Sequence, residues 1–399
     1  MSTRIPKVLL FSTLYPSSVR PGHGIFVETR LRELLKTGGV QAQVVAPVPW
    51  FPSTHPRFGG YAQMARTPSA ERWNGIPVQH PRYPLIPKLG MSTAPLAMAV
   101  ASLGTLRRLI REGFDFDVID AHYYYPDGVA AALLAKWLRK PLAITARGTD
   151  LSLIPQYALP RRWIHWAAMQ AQASIGVCGA LMEVLRELGT PAQRLHVMRN
   201  GVDLVRFQPQ PLQASRERLG LSGGPVLLSV GYLIERKGHH LLVQAMPEIL
   251  KHYPKARLVI VGDGEMRGAL LQLARDLGIE AQVTFAGAIA QTELKHWYSA
   301  ADLFVLASSR EGWANVLLES MACGTPVLAT AIWGTPEVVA SPDAGALVQE
   351  RSAPALAQGA LGLLQNLPRR EAVRAYAEGF SWAATSEAQL NLFARLAQP

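Results

Sequence analysis

The chain has 399 residues, of which 49% are hydrophobic and 17% charged, with a net charge of +11 and two cysteines. That length exceeds one compact core, the composition excludes extended disorder, and two cysteines exclude a disulfide scaffold and favour a reducing, cytoplasmic setting. The basic excess is confined to residues 1–200, which hold 23 Lys+Arg against 11 Asp+Glu, while residues 201–399 hold 17 against 18.

A basic half faces something anionic (nucleic acid, an acidic membrane or a phosphorylated ligand) or is simply a solvated surface. No apolar run reaches the ~20 residues that a spanning helix needs. The run 8–11 near the start reads as a first strand and not as a signal peptide. Further strands are predicted at 44–46, 118–121, 143–145 and 174–178, with helices at 25–36 and 129–138 among them. A second series opens at 226–230 and continues at 257–261, 283–286, 303–306 and 327–329, with helices at 239–252, 266–278 and 316–322. Apolar runs alternating with helical patterns argue parallel sheets with crossover helices. The pattern starts twice, so the expected fold class is α/β with two doubly wound domains and a cleft between them. The boundary is expected within 204–224, which carries Pro209, Pro211, Gly220, Gly223 and Gly224. Residues 47–95 contain ten prolines and read as a long irregular excursion, rich enough in aromatics to pack or to bind.

The segment 309–326 is the most informative. It follows the strand at 303–306, turns at Gly312 and enters a helix that stops at Gly324. Free amides around Trp313, Ala314, Asn315 and Val316 can bind phosphate oxygens, aided by the helix dipole. Glu311 precedes the helix and Glu319 lies eight residues on, at most about 12 Å away at ~1.5 Å per residue. That spacing suits a sugar at one end, a diphosphate between and a ribose at the other, since carboxylates accept sugar hydroxyls well. The plain alternative is a loop charge and a helix-surface charge.

Glu311 and Glu319, followed by Met321-Ala322-Cys323-Gly324-Thr325-Pro326, resemble the retaining GT-B glycosyltransferases, the superfamily of glycogen and sucrose synthases. Nearly the whole chain shares the resemblance. Pro21-Gly22-His23-Gly24-Ile25-Phe26-Val27 resembles the family's first glycine loop, Asp117-Val118-Ile119-Asp120-Ala121-His122 its strand ending in histidine, and Asn200-Gly201-Val202-Asp203 its interdomain segment. Val230-Gly231-Tyr232-Leu233-Ile234-Glu235-Arg236-Lys237-Gly238 resembles its diphosphate loop; Val261-Gly262-Asp263-Gly264 and Gly334-Thr335-Pro336-Glu337 also fit. The opening 21–27 and the stretch 46–52 resemble the family 4-like transferases of bacterial exopolysaccharide or cell-wall glycan assembly.

The resemblance implies an acceptor-binding domain over 1–203, a linker over 204–224, a nucleotide-sugar donor domain over 225–380, and a final helix over 384–399 returning to the first domain. It implies Lys237, Glu311, His122 and Arg236 as catalytic, with Lys237 on the diphosphate, Glu311 on the donor sugar and His122 touching that sugar, and Glu319 on the ribose. Gly22, Gly24, Gly231, Gly262 and Gly312 would let backbone approach the donor. Tyr232 stands where relatives often carry arginine, so one positive charge is missing unless Arg236 supplies it. Arg147, where many relatives have histidine, and Asp150 would meet the acceptor. The implied reaction is metal-independent hexosyl transfer with retained configuration and no cofactor beyond the nucleotide-diphosphate sugar. The implied acceptor is a glycan or polyprenyl-linked glycan, with no nucleic acid. The basic excess of residues 1–200, with Arg107, Arg108 and Arg111 closing a stretch that begins with apolar 95–100, points to reversible docking on the cytoplasmic face of an anionic membrane; the rival use of these arginines is in ion pairs within the domain or on the donor phosphates.

Asp115-Phe116-Asp117 spells a metal-binding triplet of other transferases, but it precedes a strand and reads as the lead-in to it. Two other classes share the architecture: a two-lobed small-molecule binding protein, and a nucleotide-sugar 2-epimerase that needs no acceptor.

Overall fold

Short apolar strands buried on both faces are what a parallel sheet covered by helices demands, and two sets of them organise this chain. A computed structural model describes residues 4–85 and 90–398. They form two units, one of Met1–Arg199 with Ala383–Pro399, the other of Asn200–Trp382.

Unit 1 contains β1 (Lys7–Phe11), β2 (Gln41–Val45), β3 (Val48–Pro49), β4 (Ala70–Trp73), β5 (Ile76–Gln79), β6 (Arg82–Tyr83), β7 (Val118–His122), β8 (Leu142–Ala146), β9 (Ala173–Gly176) and β10 (Leu195–Val197). Eight of them form one sheet in the order β10-β9-β8-β7-β1-β2-β5-β4, parallel except for β4. Strand order reverses between β1 and β7, where Val8 pairs with Val118. In open α/β sheets ligands collect outside the carboxyl ends of the strands at such a point.

The expected irregular excursion over 47–95 is a correction. β3 pairs with β6, a helix runs over Gly59–Ala65, and β4–β5 is a hairpin on the sheet edge. Its turn is Asn74-Gly75, with φ of 48° and 81°, the left-handed pair a tight hairpin requires. Pro56 falls where no donor is needed, in the first turn of a short helix, whereas Pro95 lies inside the helix that follows. A helix over Gly90–Arg111 closes the stretch; Pro87 lies outside the described residues.

The helix Trp382–Leu396 contributes to unit 1 from Ala383 onward. Leu392 and Phe393 are buried in the cluster that holds Val8, Val118 and Ile175, each burial contributing roughly 1.5–3 kcal/mol.

Unit 2 contains β11 (Val226–Val230), β12 (Arg257–Val261), β13 (Val283–Gly287), β14 (Leu303–Leu306), β15 (Val327–Thr330) and β16 (Gly345–Val348). The order β13-β12-β11-β14-β15-β16 is wholly parallel and Rossmann-like, with its reversal between β11 and β14. The strand β16 goes beyond the predicted five. The expected linker over 204–224 also differs. The division falls at Arg199, and the segment carries a helix Leu212–Leu219 fastened within unit 2 by Arg216 Nε to the Ala300 carbonyl at 3.0 Å.

Candidate active site

The reversal point of unit 2 collects charge. After β11 the chain passes Gly231, makes a 3₁₀ turn over Glu235–Lys237 and enters the helix His239–His252. After β14 it passes Ser308 and Glu311 before the helix Asn315–Ala322. The loop after β11 lies backbone against backbone with the loops after β12 and β14, which Gly262 and Gly238 make possible. Gly262 has φ 139°, and a Cβ there would stand 1.9 Å from the Gly231 carbonyl oxygen; Gly238 has φ 73°, and its Cβ would meet the Ala307 oxygen at 2.1 Å. Any side chain at either position would drive the loops apart.

The three sequence-predicted catalytic groups of this unit, Lys237, Arg236 and Glu311, are brought together. Lys237 Nζ donates to Glu311 Oε1 at 2.6 Å, Ser308 Oγ donates to the same oxygen at 2.7 Å, and Arg236 Nη1 lies 3.6 Å from it. Arg236 also donates to the Arg310 carbonyl at 2.6 Å. Burial pushes the Glu311 carboxyl upward, but Lys237, Arg236 and the two hydrogen bonds outweigh it and hold it below the usual range. Two cations around one carboxylate leave a net positive charge suited to a diphosphate. Ser308 escaped the sequence reading, because a serine at a strand end carries no pattern. Tyr232 is 70% exposed and brings no charge to this group.

The donor-side expectations fare unevenly. The helix begins at Asn315 and not at Val316, and the Asn315 amide already donates to the Trp313 carbonyl at 3.1 Å. That amide is therefore not free for phosphate. Gly312, Trp313 and Ala314 are buried, while Val316 is partly exposed. Glu319 is buried and accepts from the Tyr298 hydroxyl at 2.8 Å; burial pushes its carboxyl up. Tyr298 went unnoticed in the sequence.

In unit 1, Gly24 has φ 65° and packs its Cα against the Leu14 carbonyl, where a Cβ would stand 2.3 Å away; Gly22 is exposed with open space around it. His122 ends β7 but is buried, with both ring nitrogens engaged. Nε2 meets Asp120 Oδ2 at 3.0 Å, and Nδ1 meets Arg147 Nη2. Burial lowers it to about 4, so the ring is neutral and is not presented to a sugar as expected. Arg147 is partly exposed, its guanidinium 5.5 Å from the Phe26 ring centre. Asp150 is corrected too. It is buried and accepts the amides of Tyr124, Arg147 and Gly148 at 2.8, 3.1 and 2.7 Å, so it shapes the loop that carries Arg147.

Two features of this end of the sheet were not foreseen. Asp127 is fully buried, accepts from the Thr13 amide and from the Thr13 hydroxyl at 3.1 Å, and is pushed up by burial to about 7. A cavity of about 200 Å³ lies beside it, lined by Thr13, Tyr15, Arg20, His23, Pro47, Pro49, Met64, Thr67 and Tyr83. Pro47, Pro49, Met64, Thr67 and Tyr83 of that lining come from the segment expected to be an irregular loop.

Asp115 pairs with Lys140 at 2.6 Å and Asp117 with Arg4 at 2.9 Å, both at the lead-in to β7. Among the described residues no group of three His, Cys, Asp or Glu is placed to hold a metal ion.

The family model for Glycosyl transferases group 1 matches residues 213–380, and that for Glycosyltransferase Family 4 matches residues 22–206. A glycosyltransferase of Bacillus subtilis strain 168 named for teichuronic acid biosynthesis is 31% identical over 88% of this chain and 87% of its own. A D-inositol 3-phosphate glycosyltransferase of Frankia alni is 33% identical over 71% of this chain and 75% of its own. Among solved structures, sucrose-phosphate synthase from Thermosynechococcus elongatus superposes with a TM-score of 0.77 at 22% identity, covering 98% of this chain and 99% of that one. Anabaena HepE in complex with UDP gives 0.75 at 20% identity, covering 98% and 100%.

Proposed function

The chain belongs to the group 1 and family 4 glycosyltransferases and has their GT-B fold, and from that premise we propose that it moves a hexose from a nucleotide-diphosphate sugar to a glycan or lipid-linked glycan, with retained anomeric configuration and without a metal. The observation that carries the donor side is the group Arg236, Lys237, Ser308 and Glu311 at the reversal point of unit 2. Lys237 and Arg236 neutralise the charge that grows on the leaving diphosphate, the largest kind of contribution such a site makes. Glu311 accepts donor-sugar hydroxyls. The bond from the anomeric carbon to the diphosphate oxygen breaks, the acceptor oxygen bonds on the same face, and the acceptor proton passes to the departing diphosphate. The chain need supply no nucleophile.

Unit 1 takes the acceptor in this reading. Its cavity of about 200 Å³ offers proline, methionine and tyrosine faces with Arg20 and His23 beside them, a lining suited to one sugar ring. The helix Gly90–Arg111 exposes Leu96, Val100, Arg107 and Arg111, which favours reversible docking on an anionic membrane during bacterial surface-polysaccharide assembly. No described helix is long and apolar enough to cross a membrane.

A thermal-shift panel of nucleoside diphosphates and nucleotide sugars tests the donor. A ligand at 100 times its Kd stabilises by about 2.7 kcal/mol. Proton NMR of the product made with the best donor then reads the anomer. An inverted product, or a donor isomerised without acceptor, would overturn the reading.

A further inference from the structure

Gln389 lies in the last helix and bonds residues hundreds of positions away within unit 1. Its Oε1 accepts from Arg30 Nε at 2.9 Å, and its Nε2 donates to Asp120 Oδ2 at 3.1 Å. Arginine has no acceptor, so the Arg30 bond fixes which way the amide points. The same Asp120 oxygen accepts from His122 Nε2 at 3.0 Å. A carboxylate only accepts, so that ring nitrogen carries the proton and Nδ1 is bare. Nδ1 then accepts from Arg147 Nη2. The chain of bonds thus has a donor-only arginine at each end and one arrangement of protons along it. Arg30 is itself tied by Nη1 to the Met198 carbonyl at 3.0 Å. Arg30, Asp120, His122 and Gln389 are each 1% exposed, so water does not compete with these bonds.

We propose that Gln389 is a positioning residue of the unit 1 site: through Asp120 it holds His122 as the Nε2–H tautomer, and the bare Nδ1 aims the Arg147 guanidinium. His122 therefore acts through Arg147 and not by touching sugar. Only the last step, Arg147 meeting substrate, rests on the glycosyl-transfer reading. An arginine contributes to a reacting complex in proportion to how firmly its planar fork is held. Here the hold originates in the last helix.

The test uses the full-length protein with ¹⁵N-labelled histidine, the His122 signal being assigned by its loss in His122→Gln. In the wild type, Nε2 is expected to be protonated and Nδ1 bare, without titration between about pH 5 and 8. An Nδ1–H tautomer, or titration near 6.5, would overturn the proposal. Gln389→Met removes both bonds. It is expected to give mixed His122 tautomers and to lower kcat about tenfold or more, with the donor KM within about twofold. If Gln389→Met does not fold, Gln389→Glu serves, since it still accepts from Arg30 but cannot donate to Asp120. The same mixed tautomers are expected. An unchanged His122 signature in the folded variant, or a changed signature with unchanged kcat, would overturn the positioning role. A changed signature in a protein whose wild type transfers no sugar would support the bond chain and refute glycosyl transfer.

Discussion

Lys237 Nζ and Glu311 Oε1 lie 2.6 Å apart, so the cation proposed for a diphosphate and the carboxylate proposed for a sugar satisfy each other in this structure. In the proposed reaction a bound donor competes with this pairing, its diphosphate for Lys237 and its sugar hydroxyls for Glu311.

Glu311→Gln keeps the shape and removes the competitor. Transfer is expected to fall on the order of 10²–10³-fold, while a nucleoside diphosphate binds as tightly as in the wild type or tighter. Lys237→Ala is expected to lose both transfer and diphosphate affinity. Steady-state kinetics and calorimetric titration check this, and weaker diphosphate binding in Glu311→Gln would contradict the competition.

Asp127 gives a pH dependence of stability. Burial pushes its carboxyl up to about 7 in the folded chain, against ~3.9 when unfolded. Between those values the folded chain keeps a proton that the unfolded chain has released, so stability falls as pH rises from about 4 to 7 and then levels off. Asp127→Asn retains an oxygen for the Thr13 amide and cannot ionise. Its Tm is expected to match the wild type at about pH 4 and to exceed it at pH 8. Equal Tm values at pH 8 would show that Asp127 ionises without penalty.

Chelation is expected to leave transfer intact. In the proposed reaction Arg236 and Lys237 supply the positive charge that a divalent ion would otherwise bring to a diphosphate, and Asp115 and Asp117 are held by Lys140 and Arg4. Loss of activity in EDTA, restored by Mn²⁺ or Mg²⁺, would reverse this expectation.

Membrane docking is expected to depend on Arg107 and Arg111. Basic side chains near an anionic leaflet contribute ~1 kcal/mol each, so replacing both with alanine should weaken binding about 30-fold at low salt. Flotation with phosphatidylserine vesicles reads the effect. Equal flotation with neutral vesicles would remove the membrane from the account.

The sequence made unit 2 largely legible because its strands are continuous apolar runs with glycine turns after them. The hairpin at Asn74-Gly75 was also written there, in the Asn-Gly pair between apolar residues, but the prolines around it masked the signal. β16 is no shorter than β14 or β15, but it opens on Gly345-Ala346 and holds only two bulky apolar residues, so it does not stand out. Lys237 and Glu311 could be named from motifs, yet their contact depends on how two loops 74 residues apart in sequence pack. Asp127, Ser308 and Gln389 carry no local pattern at all. Their roles come from burial and from partners distant in the chain, which periodicity does not report. His122 was found by its place at a strand end, but only the partners of its ring nitrogens reveal that it faces inward.

The burial of Leu392 and Phe393 against Val8 and Val118 has a bearing on the order of events during synthesis. The ribosome makes the first strand of unit 1 some 380 residues before the helix that covers it. Domains are usually completed in the order they are made. Here unit 2 has all its strands before unit 1 has its last helix. Part of the first sheet's apolar face therefore stays uncovered through most of translation. A nascent chain halted near residue 380 would expose that face to chaperones.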